Sequence, residues 1–387
     1  MSQNAIEMRD ITKIFGDTVA NDAVDLTVET GEIHCLLGEN GAGKTTLMNV
    51  LFGLYERDQG KIFIDGNQVN ITEPSQAIGL GVGMIHQNFM LTDRLTVTEN
   101  IVAGAEPARG PFVDLEKARD EVENLSRKYG LTVDPEAKVE DISVGDQQRV
   151  EILKALYREA EILILDEPTA VLTPQEVEEL FGIMGELRKN GKTLVFITHK
   201  LEETMAISDR VTVLRDGKDI GTMETEETNP AQLAQMMVGR DVILSVEKSD
   251  REEKPVGFRA ENLFLQNPEN NMELQNINFE IEEGEILGVA GVEGNGQLEL
   301  EEALAGLRQI DSGSIYLGER EISELSTRKR RELGISHIPS DRLKRGMIPE
   351  FPLDWNLILG SEWKQPFASK GLLNKTEIEE NRESVIP

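Results

Sequence analysis

The sequence predicts an α/β protein of two consecutive units with one architecture, each built around a mainly parallel sheet. Three observations predict it. First, Gly38-Glu39-Asn40-Gly41-Ala42-Gly43-Lys44-Thr45 fits the pattern G-x-x-x-x-G-K-[ST]. It stands between an apolar run, Ile33-His34-Cys35-Leu36-Leu37, and a helical segment from Thr46 to Phe52. Second, Ile162-Leu163-Ile164-Leu165 and Thr193-Leu194-Val195-Phe196-Ile197-Thr198 read as further buried strands, each with titratable residues just past its end. Third, the chain repeats itself. Gly31-Glu32-Ile33 returns as Gly284-Glu285-Ile286, Gly38 as Gly291, Gly53-Leu54 as Gly306-Leu307 and Gly60 as Gly313, each 253 positions later (291 − 38, 313 − 60).

Strand, glycine-rich loop and helix in that order make an anion cradle. The glycines let the backbone curl so that successive N–H groups point at phosphate oxygens. The helix that follows aims its positive dipole end at the same anion. Lys44 is expected to reach the β- and γ-phosphates, and the Thr45 hydroxyl to hold Mg²⁺. Nucleotide contacts are therefore expected along Gly38, Glu39, Asn40, Gly41, Ala42, Gly43, Lys44, Thr45 and Thr46.

The second copy of the loop is Gly291-Val292-Glu293-Gly294-Asn295-Gly296-Gln297-Leu298, with Gln297 and Leu298 at the places of Lys44 and Thr45. The glycines remain, but the cation and the Mg²⁺-binding hydroxyl do not. Weak or no nucleotide binding, and no hydrolysis, is expected there. Between the copies, the charged, proline-closed stretch from Val246 to Pro255 reads as a linker. The expected layout is a first domain over 1–245, a linker over 246–256 and a second domain over 257–387.

With 71 Asp+Glu against 40 Lys+Arg, the net charge is −31. So acidic a surface repels nucleic acid, so no DNA or RNA partner is expected. It favours solubility and opposes a nucleotide at long range, so binding must rest on local groups such as Lys44. Cys35 is the only cysteine, which excludes a disulfide framework and fits a reducing cytosol. No apolar run approaches the ~18 residues needed to span a bilayer; any role at a membrane is that of a peripheral subunit.

Other residues extend the site. Asp166 and Glu167 follow an apolar strand; Asp166 is placed to hold Mg²⁺ and Glu167 to polarise an attacking water. A buried strand with an ordinary polar end is the plain alternative. His199, just past another strand, could contact the γ-phosphate or be structural. Ser143 and Gly145 open a helical pattern; they could bind a γ-phosphate presented by another subunit or domain, or Ser143 could be a simple helix cap. Gln87, after the apolar Met84-Ile85, could reach Mg²⁺ or the attacking water. Phe15 either stacks an adenine ring or fills the core.

Taken together, these pieces resemble the nucleotide-binding subunit of ABC transporters. The resemblance assigns the Walker A loop to Gly38–Thr45, the Q-loop to Gln87, the signature to Ser143–Gln147, the Walker B strand to Ile162–Asp166 and the switch histidine to His199. It implies tandem P-loop ATPase domains, with a helical insert from about Asn88 to Tyr157 in the first. It also implies ATP and Mg²⁺ as cofactors, two membrane-spanning permease subunits as partners, an extracellular solute-binding protein as an indirect one, and a place on the cytoplasmic face of the membrane. Tandem domains with a degenerate second site are similar to sugar and nucleoside importers. The stretches Gly83–Leu91 and Gly291–Gln297 lean toward the nucleoside branch, with a monosaccharide importer as the alternative. The apolar Phe89-Met90-Leu91 is expected either to help dock a membrane subunit or to pack against the helical insert.

Three departures stand out. The usual Leu-Ser-Gly-Gly-Gln signature is here Ile142-Ser143-Val144-Gly145-Asp146, and an acid at Asp146 beside a phosphate is unfavourable. Thr173 replaces an aspartate common after Walker B, and Ser340 stands where the second Q-loop glutamine would fall (87 + 253). The counterparts of Ser143 and Glu167 would fall at 396 and 420, past Pro387. The second domain is thus expected to be incomplete and to stop before its signature. Two rival readings are a soluble tandem ATPase acting on ribosomes, opposed by Gln297 and Leu298, and a non-catalytic fragment.

Overall fold

Alternating apolar residues open the first unit. Ile6, Met8 and Ile11 on β1 (Asn4–Phe15) and Val24, Leu26 and Val28 on β2 (Thr18–Glu29) are buried along an antiparallel hairpin. By contrast β3 (Ile33–Leu37) is buried at every position, and it leads through the glycine-rich loop into α1 (Lys44–Phe52). β4 (Gln59–Ile64) and β5 (Asn67–Val69) rejoin the hairpin in a four-stranded antiparallel sheet of order β2-β1-β4-β5. Next come α2 (Pro74–Gly79) and β6 (Val82–Ile85). The helical insert then holds α3 (Val97–Val102), the small hairpin β7 (Ala108–Arg109) and β8 (Phe112–Val113), α4 (Leu115–Tyr129) and α5 (Val144–Tyr157). β9 (Ile162–Asp166), α6 (Pro174–Lys189), β10 (Thr193–Thr198), α7 (Leu201–Ile207), β11 (Arg210–Arg215), β12 (Lys218–Glu224) and α8 (Pro230–Val238) complete the unit. Five of these strands run parallel and β12 closes the edge antiparallel, in the order β12-β11-β3-β10-β9-β6.

The central strands are apolar throughout because both their faces are covered. Cys35, Leu163, Leu165, Leu194 and Phe196 face a core shared with α3, α4, α5, α6 and α8. Leu36, Ile164, Val195 and Ile197 face a second core, filled by Leu47, Met48 and Leu51 of α1 and by the antiparallel sheet. The phosphate-loop helix is thus clamped between two sheets. Each such buried Leu or Met contributes about 1.5–3 kcal/mol.

This computed structural model describes residues 4–87, 89–110, 112–239, 254–267, 272–291 and 294–386. The chain divides into the units Met1–Glu247 and Lys248–Pro387; most of the expected linker, 246–256, lies outside the described residues. The second unit repeats the antiparallel layer. β13 (Val256–Asn267), β14 (Met272–Glu282), β15 (Ser312–Leu317) and β16 (Arg320–Glu321) pair in the order β14-β13-β15-β16, with α9 (Gln297–Ala305) between β14 and β15 in the chain. After them come α10 (Thr327–Glu332), α11 (Leu353–Leu357), the hairpin β17 (Ala368–Ser369) and β18 (Leu372–Leu373), and α12 (Lys375–Val385). The repeat extends to the backbone: Gly43 (φ 95°) and Gly296 (φ 93°) precede α1 and α9 in the same left-handed conformation, which glycine adopts without strain.

The parallel layer distinguishes the two units. Ile33 is 1% exposed, whereas Ile286, its counterpart, is 97% exposed, and residues 285–291 form no strand. β3 is a strand because β10 and β11 satisfy its backbone on both edges. No described strand of the second unit stands in those places. Among the described residues, the parallel sheet is therefore formed in the first unit.

Candidate active site

The C-terminal ends of β3, β9 and β10 lie side by side, with Leu37 opposite Thr198 and Ile197 opposite Asp166. This is the edge at which open α/β sheets hold ligands. Gly38 follows β3, Asp166 ends β9 and His199 follows β10, so sheet order gathers residues more than 150 positions apart.

The loop is backed by β2. A Cβ on Gly43 would lie 2.4 Å from the Ala20 carbonyl oxygen and 2.7 Å from Asn21 Nδ2. Asn21 is fully buried and donates Nδ2–H to the Gly43 carbonyl at 3.1 Å. No local signal in the sequence marks Asn21, because its partner is 22 residues away. Glu39, Asn40 and Gly41 are exposed at the loop's tip, Gly38 and Ala42 are buried, and Thr46 is half-buried in the first turn of α1.

Lys44 is 5% exposed and donates Nζ–H to the carbonyls of Gly38 (2.7 Å) and Glu39 (2.9 Å). Burial lowers its pKa, and the nearby carboxylates of Glu167 and Asp166 work against that shift. The Thr45 hydroxyl donates to Asp166 Oδ1 at 3.2 Å. Asp166 is 3% exposed. Burial pushes its pKa up, the Thr45 hydrogen bond pulls it down, and the neighbouring Glu167 charge raises it further. A buried carboxylate beside a hydroxyl is a pair of hard oxygen donors, which fits Mg²⁺. The charge that burial penalises is the charge a cation would compensate.

Glu167 is the hub. Its carboxylate receives Gln87 Nε2–H at 3.5 Å on one oxygen and meets His199 Nδ1 at 3.0 Å on the other. Its backbone is left-handed (φ 46°), at a cost of about 1–3 kcal/mol for a non-glycine residue. The conformation is held by its N–H, which donates to the Ile197 carbonyl at 3.1 Å. Glu203, 7% exposed, accepts from the hydroxyls of Thr169 and Thr198, both at 2.9 Å, and from Lys200 at 2.8 Å. This buried carboxylate fastens the segment after β9 to the end of β10, and so sets Glu167 against His199.

The structure gives Ser143 and Gly145 other neighbours. Ser143 caps α5: its Oγ accepts from the Asp146 N–H at 3.1 Å, and its hydroxyl donates to Asp146 Oδ2 at 2.9 Å. The Gly145 N–H donates to Glu176, and a Cβ there would meet Glu176 Oε1 at 2.7 Å. Asp146 in turn is bound by Arg149 at 2.5 Å, three residues along the same helix, and Arg149 also pairs with Glu179. Thr173 caps α6 through a capping box with Glu176. Phe15 is 43% exposed and so is no core side chain. Of the apolar trio, Met90 is 64% exposed, whereas Leu91 packs against the core. Ser340 is exposed in the second unit. There the Gln297 amide folds onto Gly291, where a Cβ would meet its Nε2 at 2.2 Å, and Leu298 stands 42% exposed where Thr45 stands in the first unit. Asn88, Val292 and Glu293 lie outside the described residues.

A phosphate loop between two sheets, a buried Asp hydrogen-bonded to a Thr hydroxyl and a Gln–Glu–His cluster at strand ends define an ATP-binding cassette. The family model for ABC transporters matches residues 21–170 and 274–385, and the chain belongs to that family; it is an ATPase of the ABC type. It is similar to the nucleoside import ATP-binding protein NupA of Lactococcus lactis subsp. cremoris, at 47% identity over 97% of this chain and 74% of the relative. It is similar also to the guanosine import ATP-binding protein NupO of Bacillus subtilis, at 49% identity over 98% of this chain and 75% of that one. Among solved structures, the ADP conformation of the ATP-binding cassette MJ1267 of an ABC transporter is 25% identical. It covers 62% of this chain and 98% of that one, with a TM-score of 0.56.

Proposed function

We propose that this ATPase powers the import of nucleosides. The observation that carries the catalytic part is the convergence of Gln87 and His199 on Glu167, beside the Lys44 loop. The two nucleoside-importer relatives, matched over nearly the whole chain, support the substrate class. In the catalytic reading the triphosphate lies along Gly38 to Thr46. Lys44 leaves the loop carbonyls for the β- and γ-phosphates. Thr45 and Asp166, with Gln87 close by, would hold Mg²⁺, whose charge offsets that of the phosphates. Glu167 accepts the proton of the attacking water, and His199 orients Glu167 and the γ-phosphate. Ser143 and Gly145 face a nucleotide on a partnering domain, where the α5 N-terminus meets its γ-phosphate.

The partners are two membrane-spanning permease subunits, with an extracellular solute-binding protein acting through them. A cavity of about 230 Å³, lined by Phe52, Met84, His86, Met90, Lys154 and Arg158 among others, is the proposed dock for a permease segment. Met90 is pinned there by its own backbone: its N–H donates to Glu151 and its carbonyl accepts from Lys154, both at 2.6 Å. His86 of the dock adjoins Gln87, and so the hydrolytic cluster, in the chain. The proposed place is the cytoplasmic face of the membrane; no described helix is long and apolar enough to cross it.

The test is solute uptake by vesicles carrying the permease subunits, the binding protein and this chain. ATP-dependent guanosine uptake that disappears with Lys44→Ala is the expected result. Uptake of ribose without any nucleoside would overturn the substrate class in favour of the monosaccharide reading.

A further inference from the structure

Phe15 closes the tip of the β1–β2 hairpin, where it pairs with Thr18. Three residues further along β2, Asn21 touches the phosphate loop at Gly43. Three strand residues span about 10 Å, too far for a group bound to the phosphates but suited to a base joined to them through a ribose. The Phe15 ring does not stand alone. Tyr55 meets it edge-on, with centroids 5.1 Å apart and planes at 77°. Lys13 Nζ lies over it, 5.2 Å from the centroid. Lys13 is itself tethered to Asp58 Oδ2 at 3.5 Å, and the same oxygen accepts the Ile14 N–H at 2.7 Å. With Tyr55 and Lys13 against it, Phe15 is still 43% exposed, which leaves part of the side chain open to a ligand.

Tyr55 is equally well anchored. Gly53 ends α1 in a left-handed conformation (φ 81°), and the Tyr55 N–H donates back to the Asn49 carbonyl at 3.1 Å. The helix whose first turn belongs to the phosphate loop therefore carries, just past its other end, the aromatic ring that holds Phe15. From this geometry we infer that Tyr55 is a positioning residue for base recognition. Together with Lys13 it fixes Phe15 as a rigid platform for the purine of ATP. The inference rests on Phe15 being the base-stacking residue. Its physical content is preorganisation: a ring already held in place loses little freedom when the base stacks on it.

The test separates base from phosphate. Binding of Mg-ATP and of Mg-tripolyphosphate to the full chain is measured by calorimetry for Tyr55→Leu, Tyr55→Phe, Lys13→Met and Phe15→Ala. Tyr55→Leu should weaken ATP by about three- to tenfold, the range of an aromatic pair, and leave tripolyphosphate unchanged. Tyr55→Phe keeps the ring edge and should bind ATP like the wild type; Lys13→Met should give a smaller ATP-only loss. Equal weakening of ATP and tripolyphosphate by Tyr55→Leu would overturn the inference, since Tyr55 would then merely support α1. Unchanged ATP binding by Tyr55→Leu would overturn it as well, and so would a Tyr55→Phe defect as large as that of Tyr55→Leu. Phe15→Ala decides the underlying reading by itself. If it leaves ATP affinity intact, no base stacks on Phe15. If it weakens ATP while Tyr55→Leu does not, the platform stands and only the role of Tyr55 fails.

Discussion

Glu167→Gln isolates one charge at the centre of the site. Glutamine matches glutamate in shape, and the left-handed backbone (φ 46°) is the same for either side chain. The strain therefore cancels in the comparison. The side chain still lies between Gln87 and His199, but it can no longer take a proton from water. Turnover is expected to fall about 10²- to 10⁴-fold, the contribution of a general base, equivalent to about 2.7–5.5 kcal/mol in the barrier. Mg-ATP affinity should hold, since Lys44, Thr45 and Asp166 are untouched. The assay is phosphate release by the chain assembled with its membrane subunits, with ATP binding measured separately. Turnover at the wild-type rate would remove Glu167 from the chemistry. A second pair of variants tests the backbone. Alanine at 167 keeps a left-handed penalty of about 1–2 kcal/mol. Glycine escapes it but loses about 0.5–1 kcal/mol more chain entropy on folding. Glu167→Gly should thus be at least as stable as Glu167→Ala, and more so by up to about 1.5 kcal/mol, or roughly 3–6 °C in Tm, whereas glycine is the less stable at ordinary positions. An alanine variant more stable than the glycine one by the ordinary margin of about 0.5–1 kcal/mol would contradict the strained conformation.

Three further outcomes are expected. Lys44→Ala should remove most Mg-ATP affinity by calorimetry, whereas Gln297→Ala should leave the affinity of the whole chain nearly unchanged; loss of half the bound nucleotide in the latter would make the second loop a working site. Burial raises the pKa of Asp166 above its ordinary value of 3.8, so the folded protein holds that proton more tightly than the unfolded chain. Mg²⁺ needs the ionised form. The Mg²⁺-dependent part of ATP binding should therefore decline on acidification at a higher pH than an ordinary aspartate would dictate, and Asp166→Asn should abolish that step; a decline unaltered by the substitution would assign it to another group. Cys35 is fully buried, and burial pushes its thiol up to about 12. It should resist maleimide in the native protein and react on unfolding, and rapid native labelling would show that β3 opens readily.

The features legible in the sequence are those whose physics is contained in a short window. The phosphate loop is one, because glycine, lysine and threonine act within eight consecutive residues. The buried strands are another, because a strand covered on both faces must be apolar at every position, as Ile33–Leu37 and Ile162–Leu165 are. The 253-residue repeat anticipates that Gly296 precedes its helix as Gly43 does, because the left-handed turn is a property of one residue and its neighbours. Gln87, Glu167 and His199 could each be singled out from the strand that precedes them.

Their mutual contact was decided by the tertiary structure, since it depends on β9 pairing with both β6 and β10, and sheet order is written in no single segment. The same holds for Asn21 behind Gly43, for Glu179 of α6 against Arg149 of α5, and for Tyr55 against Phe15, whose partners come from separate elements. The clearest case is the contrast between Ile33 and Ile286. The two stand in the same Gly-Glu-Ile motif, yet one is fully buried and the other almost fully exposed. An apolar segment becomes a central strand only when neighbouring strands take up its backbone hydrogen bonds, and those neighbours lie far away along the chain.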